Sequence, residues 1–513
     1  MAFTPSPQQA DFLNWVSTGT GSCVLEAVAG AGKTTTLLEA VARTNGNVAI
    51  MAYNKDIAEE ISAKLEARGI DWKTARAGTV HSFGFGAYRK AYPRVTVDKD
   101  GQKVPNLILA AMGGDDAKAH PLYHVRGDVA KLVSLAKQRA IGVLGSIADA
   151  KLWFDIIDHF DLFQIDAGEA GVDLKLAVRL GQHILNQNNA MTDLIDFDDM
   201  VYMPLIRRVR FWRHAWIFVD EAQDTNPARR ALVRAMLAPG GRVVAVGDRA
   251  QAIYGFTGAD ADSLDLIAQD FSATRLPLTT TYRCPKSVVA FAQQWVSHIT
   301  CADTAPEGEV STIPYAALAQ QADLDGSSAV LCRNTKPLVA LAFQLIRAKI
   351  ACKVEGRDIG KGLIKLATRW KRVTTLHGLE VALEGFQERE VTKALARKKE
   401  ATAQAIVDQC DTLRVIIDTC RAEKRDSVDA VVATITGLFA DKIKGILTLS
   451  TIHKSKGREW RTVYWLDRAG TLPSPWARQE WQRQQEDNLC YVAATRAKTR
   501  LIEVLAEPKI KEG

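Results

Sequence analysis

Short apolar, β-branched runs alternate along the chain with stretches of helical period. CVLEAV (23–28), NVAIMAY (47–53), WIFVDE (216–221) and RVVAVGD (242–248) are apolar at consecutive rather than alternate positions. That pattern predicts strands buried on both faces, as in a parallel sheet. AVLCR (329–333), ILTLST (446–451), TVYWL (462–466) and RLIEVL (500–505) read the same way. Two α/β regions are predicted, one near the N-terminus and one toward the C-terminus. Residues 87–190 break the alternation with helical stretches such as DVAKLVSLAKQRAIG (128–142) and LKLAVRLGQHILNQ (174–187). Residues 365–442 are also helical in period, with no convincing strand. Both are predicted to be helical insertions in an α/β core.

Composition narrows the class. A chain of 513 residues corresponds, at roughly 150 residues per domain, to about three or four domains. With 47% apolar and 24% charged residues it is an ordinary globular composition, which sets aside disordered and fibrous classes. The net charge of +7 allows a polyanion partner but fits a slightly basic enzyme equally well. Residues 361–400 hold ten Lys/Arg and five Glu, so much of the excess is local. That run reads either as a solvated helix face or as a nucleic-acid contact. The eight cysteines form no CxxC pair and no cluster with histidine. Zinc fingers, iron–sulfur clusters and disulfide frameworks are therefore not expected, and a reducing, cytoplasmic compartment is. The start of the chain predicts no secretory leader, and no apolar run approaches the ~18 residues of a membrane span.

The chemistry begins at AVAGAGKT (27–34), which follows a predicted strand and precedes a predicted helix. In a P-loop, glycines let backbone N–H groups wrap phosphates, the lysine neutralises them and the hydroxyl ligates Mg²⁺. Ala29, Gly30, Ala31, Gly32, Lys33, Thr34 and Thr35 are the candidate cradle, with Thr34 as a metal ligand. Ala27 replaces the first glycine of the usual pattern. WIFVDEAQD supplies the complementary acids at a strand end. Asp220 would hold Mg²⁺ and Glu221 would polarise the attacking water. Acids here could instead only cap the following helix, but the P-loop in the same chain favours nucleotide hydrolysis.

At VDEAQD the chain resembles superfamily 1 helicases of the UvrD/Rep/PcrA type, and the resemblance runs in order from residue 3 to about 500. It implies an α/β fold of two RecA-like parallel-sheet P-loop motor domains, each with a helical insertion. Residues 1–86 and 191–275 would form the first motor domain and 87–190 its insertion. Residues 276–364 and 443–513 would form the second, with 365–442 as a short insertion. TPSPQQ resembles the family's Q motif, in which Gln9, or alternatively Gln8, reads adenine. AYNKDIAEE (52–60) and TVHSF (79–83) resemble segments that contact single-stranded DNA, with Tyr53 and His81 as the candidate contacts. DFDDM (196–200) resembles an acidic stretch often found before the acidic strand, or it simply caps a helix.

The remaining motifs extend the resemblance through the second half. In VGDRAQAIYGF (246–256), Gln251 would sense the γ-phosphate and Phe256 would stack on a base. In TTYRCP (280–285), Tyr282 would stack on adenine and Arg283 would reach the γ-phosphate. In LSTIHKSKGREW (449–460), His453 and Lys456 would lie near DNA and Glu459 would hold the ribose. In NLCYVAATRAK (488–498), Arg496 would act as an arginine finger. Thr257 stands where the family usually has arginine. The resemblance implies ATP and Mg²⁺ as cofactors and single-stranded and partially duplex DNA as partners. It also implies a monomer working with a loading or repair protein. The implied activity is an ATP-dependent 3′→5′ DNA helicase and single-stranded DNA translocase in repair, replication or recombination. The short second insertion motivates an alternative, an ATP-driven remodeler that strips proteins from DNA with little unwinding. A C-terminal nuclease domain is not expected.

Overall fold

The computed structural model describes residues 3–52, 54–163, 172–255, 258, 262–396, 400–439, 445–475, 477 and 479–506. The chain divides into two compact units, one of residues 1–28 and 32–278 and one of residues 29–31 and 279–513. Among the described residues no helix is long and apolar enough to cross a membrane.

The first unit is built on six parallel strands: β1 (Cys23–Ala27), β2 (Val48–Ala52), β3 (Ala75–Thr79), β4 (His214–Val219), β5 (Leu237–Gly247) and β6 (Thr274–Leu278). Their order across the sheet is β3-β2-β4-β5-β1-β6. Central residues such as Val24, Ile50, Phe218 and Val244 are fully buried, as expected for strands covered on both faces. The second unit repeats the plan with β7 (Glu309–Ile313), β8 (Ser328–Cys332), β9 (Cys352–Val354), β10 (Leu447–Thr451), β11 (Trp460–Leu466) and β12 (Ala497–Val504). Here the order is β7-β12-β11-β8-β10-β9. The eight strands read from sequence are the inner strands of these sheets. The four not read, β3, β6, β7 and β9, are the edge strands. An edge strand is partly exposed, so it needs no continuous apolar run to mark it.

The helices between β3 and β4 surround a core of their own that includes Ile108, Val129, Leu132, Trp153 and Ile184. That core also takes in Ile195, Tyr202 and Met203, so it reaches past the C-terminal boundary drawn from sequence. The acidic stretch 196–199 is bolted into it. Lys103 Nζ lies 2.7 Å from Asp199 Oδ2, and Lys137 Nζ lies 2.9 Å from Asp199 Oδ1 and also contacts Asp196. Asn188 Nδ2 donates to Asp199 Oδ1 at 3.0 Å. The backbone N–H of each of Asp196 and Asp199 donates to the other's carboxylate. Burial disfavours the Lys137 charge, yet Asp199 and Asp196 outweigh it and raise its pKa to about 12. The stretch therefore does more than cap a helix; its acids neutralise two buried lysines.

In the second unit, helices Arg357–Ala367, Leu376–Ala396, Glu400–Ala422 and Val428–Leu438 fill the predicted insertion, the first starting before residue 365. Leu379, Leu413, Ile416 and Val431 share one continuous core with Val330, Leu338, Leu447 and Leu449 from the sheet side. These helices form a layer on the sheet rather than a body with a separate core. Part of the basic run is engaged within that layer. Arg369 lies 4.7 Å over the Phe386 ring, and Lys393 pairs with Glu390 at 3.0 Å.

Candidate active site

The first sheet brings its chemistry to one edge. The order β4-β5-β1 sets three strand ends side by side, and ligands of open α/β sheets bind outside those carboxyl ends. β1 ends at Ala27, and helix Lys33–Val41 begins six residues later. Gly30 and Gly32 have φ of +73° and +75°, a left-handed conformation that glycine adopts without strain. Ala27 is still within β1, paired with Leu278, so the missing first glycine costs no backbone geometry. Ala29 and Ala31 are buried, Thr34 is half-buried and Thr35 is exposed.

Lys33 Nζ lies 3.4 Å from Glu221 Oε1, with the two side chains only 11% and 16% exposed. Gln9 Nε2 donates to Thr36 Oγ1 at 3.0 Å, and Gln9 Oε1 accepts from the Ser6 N–H at 3.0 Å. Thr36 Oγ1 in turn donates to Gly32 O at 3.0 Å. The buried Gln9 thus touches the phosphate-loop helix, whereas Gln8 is partly exposed.

Asp220 and Glu221 follow β4. The Asp220 N–H donates to Met51 O at 2.9 Å, and Asp220 Oδ1 accepts from the Glu221 N–H at 3.0 Å. Glu221 sits at φ +49°, uncommon for a residue with a side chain and typical of strain kept at working positions. Gln223 Nε2 donates to Glu221 Oε2 at 2.5 Å, and Gln223 Oε1 accepts from the Asp248 N–H at 3.0 Å. Asp248, at the end of β5, accepts from Gln251 Nε2 at 2.6 Å. Burial raises the Asp248 pKa, with the Lys33 charge acting against it. Gln223 and Asp248 were not singled out from sequence. The available signal was their place in VDEAQD and VGDRAQ, at the ends of two strands that prove to be neighbours.

Among the described residues no three His, Cys, Asp or Glu side chains converge as a metal cage. One hydroxyl, Thr34, and one carboxylate, Asp220, suit Mg²⁺, which is commonly held by one or two carboxylates together with substrate phosphates.

His81, on helix Val80–Ala91, stacks on Phe197 with ring centroids 4.1 Å apart and an interplanar angle of 29°. Burial, followed by the Arg229 charge, lowers its pKa to about 3, so the ring is neutral. Phe197 is 63% exposed and was not read from sequence, where DFDDM drew notice only for its acids. Tyr53, Phe256 and Thr257 lie outside the described residues.

In the second unit Tyr282 is 52% exposed. Arg283 Nε donates to Glu459 Oε2 at 2.6 Å, and Lys498 pairs with the other Glu459 oxygen at 3.1 Å. Burial raises the Glu459 pKa, but Arg283 and Lys498 hold it below the usual carboxylate range. The carboxylate expected to hold a ribose is thus ion-paired. Arg496 is 1% exposed and donates to Val492 O, Arg458 O and Thr495 Oγ1. Arg283 also donates to Thr495 O, so Thr495 links the two arginines. His453 is half-buried, its pKa lowered to about 3 by burial, then Arg333 and Lys456. Lys456 is partly exposed at the turn after β10.

Two six-stranded parallel sheets, the first bearing a P-loop beside a carboxylate pair, define a RecA-like α/β architecture built twice. Family comparison makes the assignment specific. The UvrD/REP helicase N-terminal domain matches residues 8–272, and the UvrD-like helicase C-terminal domain matches residues 369–507. The chain belongs to the UvrD/Rep helicase family. It is 26% identical to ATP-dependent DNA helicase Rep of Escherichia coli, over 55% of this chain and 41% of that protein. It is 23% identical to F-box DNA helicase protein 1 of Schizosaccharomyces pombe, over 93% of this chain and 55% of that protein. It is also 23% identical to ATP-dependent DNA helicase UvrD2 of Mycobacterium bovis, over 93% of this chain and 75% of that protein. The chain therefore spans about half the length of the first two of these relatives.

Proposed function

We propose that the protein hydrolyses ATP to move 3′→5′ along single-stranded DNA and to unwind duplex, in repair, replication or recombination. The observation that carries this reading is the contact of Lys33 with Glu221, beside Asp220 and the Asp248–Gln251 pair. In this reading the Gly30–Thr35 cradle and Lys33 bind the phosphates, and Gln9 and Tyr282 hold the base. Glu221 orients the attacking water and receives its proton. Thr34 and Asp220 would hold Mg²⁺, which would supply charge neutralisation on the phosphates. Phosphoryl transfer spreads negative charge over the equatorial oxygens, and Lys33, Arg283 and Arg496 are the cations assigned to it. Release of Arg283 by Glu459 accompanies that role.

DNA contacts are assigned to Tyr53, His81 and Phe256 in the first unit and to His453 and Lys456 in the second. Each unit is a motor domain, with the helices before β4 and those before β10 as their insertions. The protein works as a monomer in the cytoplasm, with a loading or repair partner. The named relatives support a DNA substrate, since Rep and UvrD2 are described as ATP-dependent DNA helicases.

Phe256→Ala is expected to lower DNA-stimulated ATPase several-fold while basal ATPase stays within about twofold, since a stacked base is worth ~1–3 kcal/mol. Steady-state ATPase with and without oligothymidine checks this; equal loss of both rates would make Phe256 a structural residue. Polarity is read with duplexes bearing a 3′ or a 5′ single-stranded tail. Unwinding of the 3′-tailed duplex is expected, and unwinding from the 5′ tail alone would reverse the assignment.

One observation favours a second reading. Among the described residues, the helices of 357–438 share the core of the second sheet rather than forming a separately cored insertion that could grip duplex. In that reading the motor strips bound proteins from DNA with little unwinding. Rapid release of a bound protein block from a single strand, without strand separation, would select it.

A further inference from the structure

The first unit carries a second concave site, away from the phosphate loop. A cleft of about 840 Å³ runs along helix Val80–Ala91, bounded by the starts of β2 and β4 and by the turn before β3. Five cationic side chains line it: Lys73, Arg76, Lys90, Arg210 and Arg213. Among the described residues no aspartate or glutamate lines it. Asp71, next to it in sequence, accepts the backbone N–H groups of Lys73 and Thr74 at 2.7 and 2.9 Å. Arg76 lies 5.3 Å over the Phe83 ring, and Arg213 donates to Leu237 O at 2.6 Å, so neither is neutralised by these contacts. Two tryptophans, Trp72 and Trp212, stand on the same cleft, 68% and 69% exposed. An exposed indole forgoes a large burial free energy, and two on one cationic cleft mark a binding surface rather than ordinary scatter.

Position separates this cleft from the nucleotide site. Val48 and His214 are the first residues of β2 and β4, whereas Asp220 follows the last residue of β4. At ~3.3 Å per residue, the length of β4 puts the two ends roughly 20 Å apart. The cleft also reaches Ser82, beside His81, so it continues from the segment already assigned to DNA.

We infer that this cleft holds a second stretch of single-stranded nucleic acid, with phosphates against the five cations and bases stacked on Trp72 and Trp212. Cations supply sequence-independent affinity through counterion release, and aromatic faces accept any base. An acidic protein segment would use the cations but gain little from two indoles. The inference rests on the proposed DNA-tracking function, because the cleft extends that path.

The test compares 10- and 30-nucleotide oligothymidine without ATP, alongside ATPase stimulated by the 10-mer. The double variant Trp72→Ala/Trp212→Ala should bind the 30-mer about tenfold more weakly, with 10-mer binding and its stimulation of ATPase unchanged. Trp72→Phe/Trp212→Phe should restore most of the loss, since phenylalanine still stacks. Lys90→Glu/Arg210→Glu should flatten the salt dependence of 30-mer binding by about two units of slope. Undiminished 30-mer affinity in the alanine variant would overturn the inference. So would an abasic 30-mer that binds as tightly as oligothymidine, which would leave only a polyanion surface. If the 10-mer fails to stimulate ATPase while 30-mer binding still depends on both tryptophans, the motor reading falls and the cleft stands.

Discussion

Glu221→Gln is expected to keep ATP binding and to slow hydrolysis by ~10²–10⁴-fold, the usual range for loss of a positioned proton acceptor. The glutamate is held in place from three sides. Its backbone is in a left-handed conformation, Gln223 donates to Oε2, and Lys33 lies 3.4 Å from Oε1. Glutamine fills the same volume and keeps one carbonyl acceptor, so the loop should stay in place. What it loses is the negative charge that, in the proposed mechanism, orients the water and accepts its proton. Lys33→Ala should fail earlier, at binding. Its removal withdraws the cation that faces Glu221 and counters the burial of Asp248. Bound phosphates would then meet buried carboxylates without compensation. A fluorescent nucleotide titration beside steady-state ATPase separates the two. Normal turnover by Glu221→Gln would remove Glu221 from the chemical step.

Asp199→Ala is expected to destabilise the first unit by ~3–5 kcal/mol, the range for breaking a buried ion pair from one side. Asp199 faces Lys103 and Lys137, all three side chains being at most 1% exposed. After its removal Lys137 keeps Asp196, while Lys103 loses its buried carboxylate partner. Urea unfolding followed by tryptophan fluorescence measures the loss; a change below about 1 kcal/mol would show that water or rearranged partners replace the carboxylate. Replacing the whole cluster with apolar side chains of similar volume should cost far less, because no charge is then left buried alone. The same cluster predicts a pH dependence. The Lys137 pKa is raised from 10.5 to about 12. Its stabilising contribution is complete below pH 10.5 and is lost as the pH rises through 12.

Much of the architecture was legible because burial on both faces leaves a mark in composition. The eight inner strands are nearly continuous apolar runs, and each appears within a few residues of its reading. The edge strands carry no such mark: ARAGT in β3 and EVSTI in β7 are polar or mixed at consecutive positions. Likewise, helical period announced both helical regions, but only packing separated their fates. The helices before β4 close over a core largely their own, whereas those before β10 merge with the second sheet.

The nucleotide site divides in a similar way. Lys33, Asp220, Glu221 and Gln251 stand in short strings whose local geometry is dictated by neighbours in sequence: glycines for the loop, a strand end for the acids. The sequence alone thus determined the two α/β regions, the phosphate loop and the family to which the chain is similar. Tertiary structure decided which distant groups meet. It set Asp248 and Gln223 beside Glu221, engaged Glu459 with Arg283, and turned the acids of 196–199 onto Lys103 and Lys137. It also laid Phe197 against His81 and gathered Trp72, Trp212 and five cations on one cleft. None of these leaves a local signature, because a charge or an aromatic ring in sequence is compatible with solvent until the fold supplies the partner that buries, pairs or stacks it.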